Sequence, residues 1–394
     1  MDPKAFQAPQ VGRVLRVPGK QYWAFYPAPL PPVLEWTNEL VFALSQADSA
    51  LGELKGLARN LANPHLLIAP FLRREAVLSS RIEGTQASLS DLYAYEAVQL
   101  PLLDRPEDVK EVYNYVAALE YGLERLKTLP ISLRFIRELH AHLMKGVRGE
   151  EQTPGEFRRS QNWIGPPGCL LDSATFVPPP PPDMLEALHH LEAYLHAPPV
   201  LPPLLRLGLI HYQFEAIHPF LDGNGRVGRL LIVLLLCAWE VLPQPLLYLS
   251  AYFQRHREAY YAHLMAVSQR GEWEAWLRFF LQGIYTQAQD AIARSRRLLA
   301  LRERYREQFQ NQRTAARLLR VLDYLFIRPI VTIQGIAADL PEIDYQTASR
   351  YIYALEAAGV LHEITERARN RVYQADAILQ AISAPLPGQE EENL

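Results

Sequence analysis

Apolar residues recur at a helical period along most of this chain. In EWTNELVFALSQADSALGELKGLARN, the residues Leu40, Leu44, Ala47, Leu51, Leu54 and Leu57 fall three and four apart, one stripe of an amphipathic helix. NPHLLIAPFLRREAVLSSRIEGTQ predicts a second helix that stops at Gly84, where a C-terminal cap glycine belongs. From PEDVKEVYNY to about residue 310 helical patterns dominate. They break once, in TPGEFRRSQNWIGPPGCLLDSATFVPPPPP, where Gly, Pro and β-formers predict a loop or short hairpin. The next helix opens after PPVLPP, because prolines are tolerated at or before the first turn, and lines up Leu207, Ile210, Phe214 and Ile217. It runs directly into His218.

The two ends of the chain read differently. Residues 1–34, including YPAPLPPV, hold too many prolines for a regular element and predict an extended arm. From Thr314 to about Ile382, the segments TAARLLRVLDYLFI, TIQGIAADL, DYQTASRYIYALEAAGV and LHEITERARNRVYQA give helix, turn, helix and a two-stranded wing, the order of a winged helix-turn-helix. The acidic tail PLPGQEEENL predicts a frayed end. The expected class is mainly α. Its expected parts are an arm and helical extension over 1–105, a helical core with a short β-hairpin over 106–310, the winged helix-turn-helix over 311–385 and a flexible tail over 386–394.

Composition narrows the function classes. With 49% hydrophobic and 21% charged residues the chain is globular, and 394 residues leave room for more than one domain. A net charge of −3 excludes a global basic field, so binding to nucleic acid or an anionic membrane would need a local patch. Two cysteines, Cys169 and Cys237, make no disulfide framework. No amino-terminal targeting pattern and no run of membrane-spanning length is present, so the expectation is a soluble cytoplasmic protein with no membrane partner.

The chemistry concentrates in HPFLDGNGRVGR, residues 218–229. GNGRVG formally fits a dinucleotide fingerprint, but that fingerprint needs a strand before its glycines, and here a helical period precedes them. Gly223 and Gly225 instead let successive N–H groups converge at the start of a new helix, an anion nest. Arg226 and Arg229, three apart near that positive helix end, are disfavoured there unless an anion such as a phosphate sits between them. A carboxylate beside a polyphosphate asks for a cation, so Asp222 points to Mg²⁺ held through one carboxylate and several phosphate oxygens. His218, at the other lip of the loop, is placed as a general base. Each of these residues alone has a plain structural counterpart, as a turn, a surface ion pair or a helix end. Their crowding into one short stretch favours a site.

HPFLDGNGRVGR resembles the signature of the Fic family, and the resemblance extends through PGEFRRSQNWIG, ATFVPPPP, LYLSAYFQRHREAYYAHL and GEWEAWLRFFL. It implies a mostly helical Fic core that transfers AMP from ATP to a hydroxyl of a target protein or of the enzyme itself. By that resemblance His218 deprotonates the hydroxyl, and Asp222 holds Mg²⁺ on the α- and β-phosphates. Gly223, Asn224, Gly225 and Arg226 bind the same region, while Arg229 takes the γ-phosphate. Tyr260 falls where the family places an aromatic near the adenine, and residues 163–176 resemble its flap, on whose edge the target lies as an added strand.

In SSRIEGTQ, Ser79, Glu83 and Gly84 match the family's inhibitory pattern, and their place ahead of the signature resembles the subclass with an amino-terminal inhibitory helix. Glu83 would then pair with Arg229 and occupy the γ-phosphate position. The same glutamate supports AMP removal in some relatives, so the direction of reaction stays open. A second class also stays open, in which the winged helix binds DNA or a protein partner and the Fic core serves as its sensor. Gln346, Thr347, Ser349 and Arg350, with Arg367, Arg369 and Arg371 of the wing, are its candidate contacts. Family resemblance also implies self-association, as a homodimer.

Overall fold

The computed structural model describes residues 1–59, 63–98, 106–148, 150–311, 315–365 and 369–385. The tail expected over 386–394 and wing residue Arg367 lie outside them. A two-stranded antiparallel hairpin comes first, β1 (Gly12–Arg16) and β2 (Trp23–Pro27). Helices follow as α1 (Asn38–Arg59), α2 (His65–Ile82), α3 (Leu89–Val98), α4 (Pro106–Arg125), α5 (Leu133–Leu143) and α6 (Pro181–His196). Next come α7 (Pro203–Ile217), α8 (Asn224–Ala238), α9 (Ser250–Arg255), α10 (Arg257–Arg270) and the long α11 (Trp273–Phe309). The chain then runs through α12 (Ala315–Ile327), β3 (Ile330–Thr332), α13 (Ile333–Asp339), α14 (Tyr345–Ala357), β4 (His362–Glu363), β5 (Val372–Gln374) and α15 (Asp376–Ser383). The fold is mainly helical, as the apolar periodicity predicts.

Two compact units share the chain, residues 1–55 with 114–288 and residues 56–113 with 289–394. In the first, α7 and α8 form the core and pack on each other. Both are buried nearly all round, from Leu204 to Ile217 and from Arg226 to Leu236, as expected of helices without a solvent stripe. Gly208 permits close approach by α11, where the Trp276 indole N–H donates to the Gly208 carbonyl at 3.0 Å. Helix α5 starts on Ser132, whose hydroxyl accepts from the Phe135 N–H, an N-cap.

The amino-terminal segment corrects the expectation of an arm without regular structure. The strands pair from Gly12–Pro27 to Arg16–Trp23, and the consecutive Ala24 and Phe25 are both fully buried. The Phe25 N–H donates to the Val177 carbonyl at 2.8 Å. Phe25, Phe6 and Phe176 form one aromatic cluster, and Val17, Ala24, Ala174 and Val177 another apolar one. Proline density misled because only Pro27 enters the ladder, at its open end opposite Gly12, while Pro18 stands in the turn and the other prolines lie outside the strands.

In the second unit, α2 packs against α12 and α15, and α3 against β3. Asp290 joins this unit's helices through charge: Arg294 Nε lies 2.7 Å and Arg74 Nη1 3.4 Å from its Oδ2, all three side chains buried. The strands from 330 onward form one antiparallel sheet in the order β3-β5-β4. Thr332 and Asp344 cap α13 and α14 through their side chains.

Candidate active site

Helix α7 ends in a left-handed residue. His218 has φ 50° and ψ 61°, and its N–H still donates to the Phe214 carbonyl at 3.0 Å. Its Nδ1 stands 3.3 Å from the Glu215 carbonyl. A carbonyl only accepts, so Nδ1 carries the hydrogen and the lone pair is on Nε2, the form a general base needs.

The loop 218–223 is held closed from within. The Asn224 amide pairs reciprocally with the Phe220 backbone, accepting from its N–H and donating to its carbonyl, both at 2.8 Å. Phe220 is fully buried and stacks on His140 at 3.8 Å. His140 accepts from the Gly155 N–H at Nδ1, 2.8 Å, and so donates from Nε2 to the Asp222 carbonyl, 3.1 Å. Burial lowers its pKa to about 4, with the Asp222 carbonyl bond opposing and Arg226 adding to the fall. Gly223 takes φ +78°, which a side chain would oppose, and hands the chain to α8.

Arg226 and Arg229 are both 2% exposed, and Arg226 sits in the first turn of α8. Helix α8 begins at Asn224, which moves Arg229 into the second turn. Below Gly228 runs a buried chain: the Tyr260 hydroxyl donates to His211 Nε2 at 2.8 Å, and His211 Nδ1 meets the Gly228 carbonyl at 3.3 Å. Burial, then the nearby Arg229 charge, lowers the His211 pKa to about 3, so the imidazole is neutral. Tyr260 itself is 1% exposed and stacks on Phe253, a core position supporting α8 from beneath.

Asp222 is the carboxylate of the loop. The Gly223 N–H donates to its Oδ1 at 2.6 Å, and Arg226 Nη2 lies 3.6 Å from the same oxygen. Among the described residues no cluster of three or more His, Cys, Asp or Glu could cage a metal ion. One half-exposed carboxylate with Oδ2 unpaired among the described residues fits Mg²⁺ that completes its shell from phosphate and water.

The flap expected over 163–176 is a hairpin edge pinned by one bridge. Ile164 and Phe176 pair antiparallel, with the Ile164 N–H donating to the Phe176 carbonyl at 2.8 Å. Trp163, Ile164 and Leu170 are exposed on it, while Phe176 anchors its base beside Phe25. In the second unit Ser79 is buried on α2, Glu83 caps that helix and is exposed, and Gly84 turns the chain with φ +102°.

The pattern of the Fic/DOC family N-terminal region matches residues 41–124, and that of the Fic/DOC family itself matches residues 130–236, around this loop. The chain carries a Fic/DOC domain preceded by the N-terminal region of that family. Curated relatives named protein adenylyltransferase Fic from Aedes aegypti and Drosophila grimshawi are 30% and 29% identical over 203 and 202 residues. Those matches take in 50% of this chain but only 37% and 38% of the relatives, so the chain spans little more than a third of their length. Among solved structures, a Fic family protein from Desulfovibrio desulfuricans G20 covers 88% of this chain and 98% of its own, with TM-score 0.56 at 20% identity. A Fic domain containing signaling protein from Bacteroides thetaiotaomicron covers 64% of this chain and 95% of its own, with TM-score 0.50 at 18% identity. These two likenesses concern the fold. No described helix is long and apolar enough to cross a membrane.

Beyond the Fic signature, sequence reasoning missed His140, His211, Arg158 and Asn162. The two histidines carry no local signal: His211 is a lone imidazole on α7, and His140 shares α5 with His142 in a pair that matches no motif. Arg158 and Asn162 stand in PGEFRRSQNWIG, which carried resemblance but no assigned role.

Proposed function

We propose that this chain transfers AMP from ATP to a hydroxyl side chain of a target protein, itself included. One observation carries the reading: His218, with Nδ1 held by the Glu215 carbonyl, stands across one short loop from a helix start bearing Arg226. The α- and β-phosphates then meet the N–H groups of Gly223, Asn224 and Gly225 and the Arg226 guanidinium. The incoming hydroxyl gives its proton to His218 Nε2 as its oxygen bonds to the α-phosphorus. The bond from that phosphorus to the bridging oxygen breaks, and pyrophosphate leaves. Mg²⁺, when bound at Asp222, neutralises charge on the phosphate oxygens. Arg229 takes the γ-phosphate. Tyr260 bears on the nucleotide through His211 and the helix it supports. The names of the curated relatives support the reaction class.

The exposed apolar side chains of the flap support its role as the edge on which a target segment lies. Glu83 at the end of α2 pairs with Arg229 in the resting enzyme and holds the γ-phosphate position closed. The order from α12 to β5 supports a winged helix, and the exposed Tyr345 and Tyr353 on α14 favour a protein partner for it over DNA.

The test is to incubate the full chain with Mg²⁺ and ATP labelled at the α-phosphate. Protein-bound label is expected, and none in His218→Ala. Label retained by His218→Ala removes the base assignment. Transfer from γ-labelled but not α-labelled ATP replaces AMP transfer with phosphoryl transfer, and AMP release from a pre-modified target without any labelling reverses the direction.

A further inference from the structure

Arg158 is a 2% exposed cation with no carboxylate on it among the described residues. Its side-chain donors go to backbone carbonyls: Nε to His218 at 2.9 Å, Nη1 to Ser160 at 3.3 Å, and Nη2 to Pro179 at 2.5 Å and Ile217 at 3.4 Å. Its own N–H donates to the Pro219 carbonyl at 2.9 Å. Asn162 Nδ2 adds bonds to the carbonyls of His218, 3.2 Å, and Phe220, 2.8 Å. The four successive carbonyls from Ile217 to Phe220 are therefore all gathered by Arg158 and Asn162.

Burying a cation is expensive, and a neutral amide would suffice to tie a loop. What this cation meets is the carboxyl end of α7, where unpaired carbonyls and the helix dipole favour positive charge. It meets that end at a residue under strain. A non-glycine residue in the left-handed region brings its Cβ too close to the following carbonyl, and the residue before a proline is restricted further. His218 is both, since Pro219 follows it. Such a conformation persists only where its surroundings over-determine it. Two donors on the one His218 carbonyl, with neighbours fixed on either side, do so.

We infer that Arg158, with Asn162, is a positioning residue for His218: the clamp holds the left-handed backbone from which the imidazole, Nδ1 on the Glu215 carbonyl, presents Nε2 to the incoming hydroxyl. The inference rests on the proposed role of His218 as base. The adjacent Arg159 is exposed and outside the clamp.

The experiment compares Arg158→Gln, Arg158→Lys, Asn162→Ser and the control Arg159→Gln in the full chain, with two readouts. In AMP transfer, Arg158→Gln is expected to lower kcat by about 10- to 100-fold, the scale of small misplacements of a reacting group, with the KM for ATP within about twofold. Arg158→Lys, which keeps the charge but cannot span the carbonyls, is expected to fall between, and Arg159→Gln to match the unaltered chain. In nitrogen-15 histidine spectra, the His218 signals, identified by their loss in His218→Ala, are expected to pass from one Nδ1–H tautomer to a mixture. A folded Arg158→Gln chain that keeps the single tautomer and full kcat overturns the inference, as does a KM that rises in step with the fall in kcat. If both Arg158 variants fail to fold, Asn162→Ser, which removes one of two donors to His218, carries the same two readouts. The spectra do not depend on catalysis, so transfer surviving in His218→Ala would end the base assignment while the tautomer still decides the clamp.

Discussion

His140 donates through Nε2 to the backbone carbonyl of Asp222, 3.1 Å away and 82 positions along the chain. With the Gly155 N–H on Nδ1 and Phe220 stacked on the ring, the imidazole is used as a neutral two-ended strut. Its pKa is lowered from 6.5 to about 4 in the folded chain, so between those values the unfolded chain binds the proton more readily. The stability it contributes is complete above pH 6.5 and drains away as pH falls towards 4. His211, lowered to about 3, acts in the same sense. In His140→Phe, which keeps a stacking ring but loses both bonds, stability at pH 7 is expected to drop by about 1–3 kcal/mol and its loss between pH 7 and pH 5 to be shallower. Urea midpoints at the two pH values measure both, and equal pH dependence in the two proteins would remove His140 as the source.

Glu83→Gly is expected to raise protein labelling by α-labelled ATP several-fold, with the gain absent from Glu83→Gly combined with His218→Ala. Labelling no higher than that of the unaltered chain would end the inhibitory assignment. ATP titration separates the cause, since relief at the γ-phosphate position should strengthen productive binding of ATP more than that of ADP.

Asp290 stands between two buried guanidiniums, those of Arg294 and Arg74. Removing the shared anion leaves both cations without it in low-dielectric surroundings, so Asp290→Ala is expected to cost about 3–5 kcal/mol in unfolding free energy. A loss below about 1 kcal/mol, the range of exposed pairs, would show that water reaches this cluster.

Gly12 has the Tyr26 carbonyl 2.6 Å and the Phe25 ring 2.5 Å from where a β-carbon would stand. Gly12→Ala is expected to cost about 1–3 kcal/mol by overpacking. It is also expected to speed hydrogen exchange at the Phe25 amide, the donor to Val177 at the flap base. An unchanged exchange rate would show that the hairpin and the flap base open independently.

Helix α7 and the helix after the signature were legible because their apolar periods and flanking glycines and prolines are local signals. His218, Asp222 and Arg226 were legible for the same reason, lying within one short stretch. The clamp on His218 was not, because Arg158 and Asn162 act through backbone carbonyls, and a carbonyl's neighbours leave no mark on residue identity. The amino-terminal hairpin was hidden by prolines crowded around its strands, of which Pro27 alone enters the ladder, at its open end. Tyr260, which the family resemblance sets near the adenine, is enclosed by Phe253 and His211, contacts that no local sequence pattern marks.

The seating of α2 against α12 and α15 joins stretches far apart in the chain. A premature stop between Phe309 and Ala315 would therefore not trim an appendage. It would strip the cover from the apolar face of α2, more than two hundred residues upstream. Residues 56–113 and 289–394 form a single heritable part, and a shortened gene would have to rebuild the first stretch in order to lose the last.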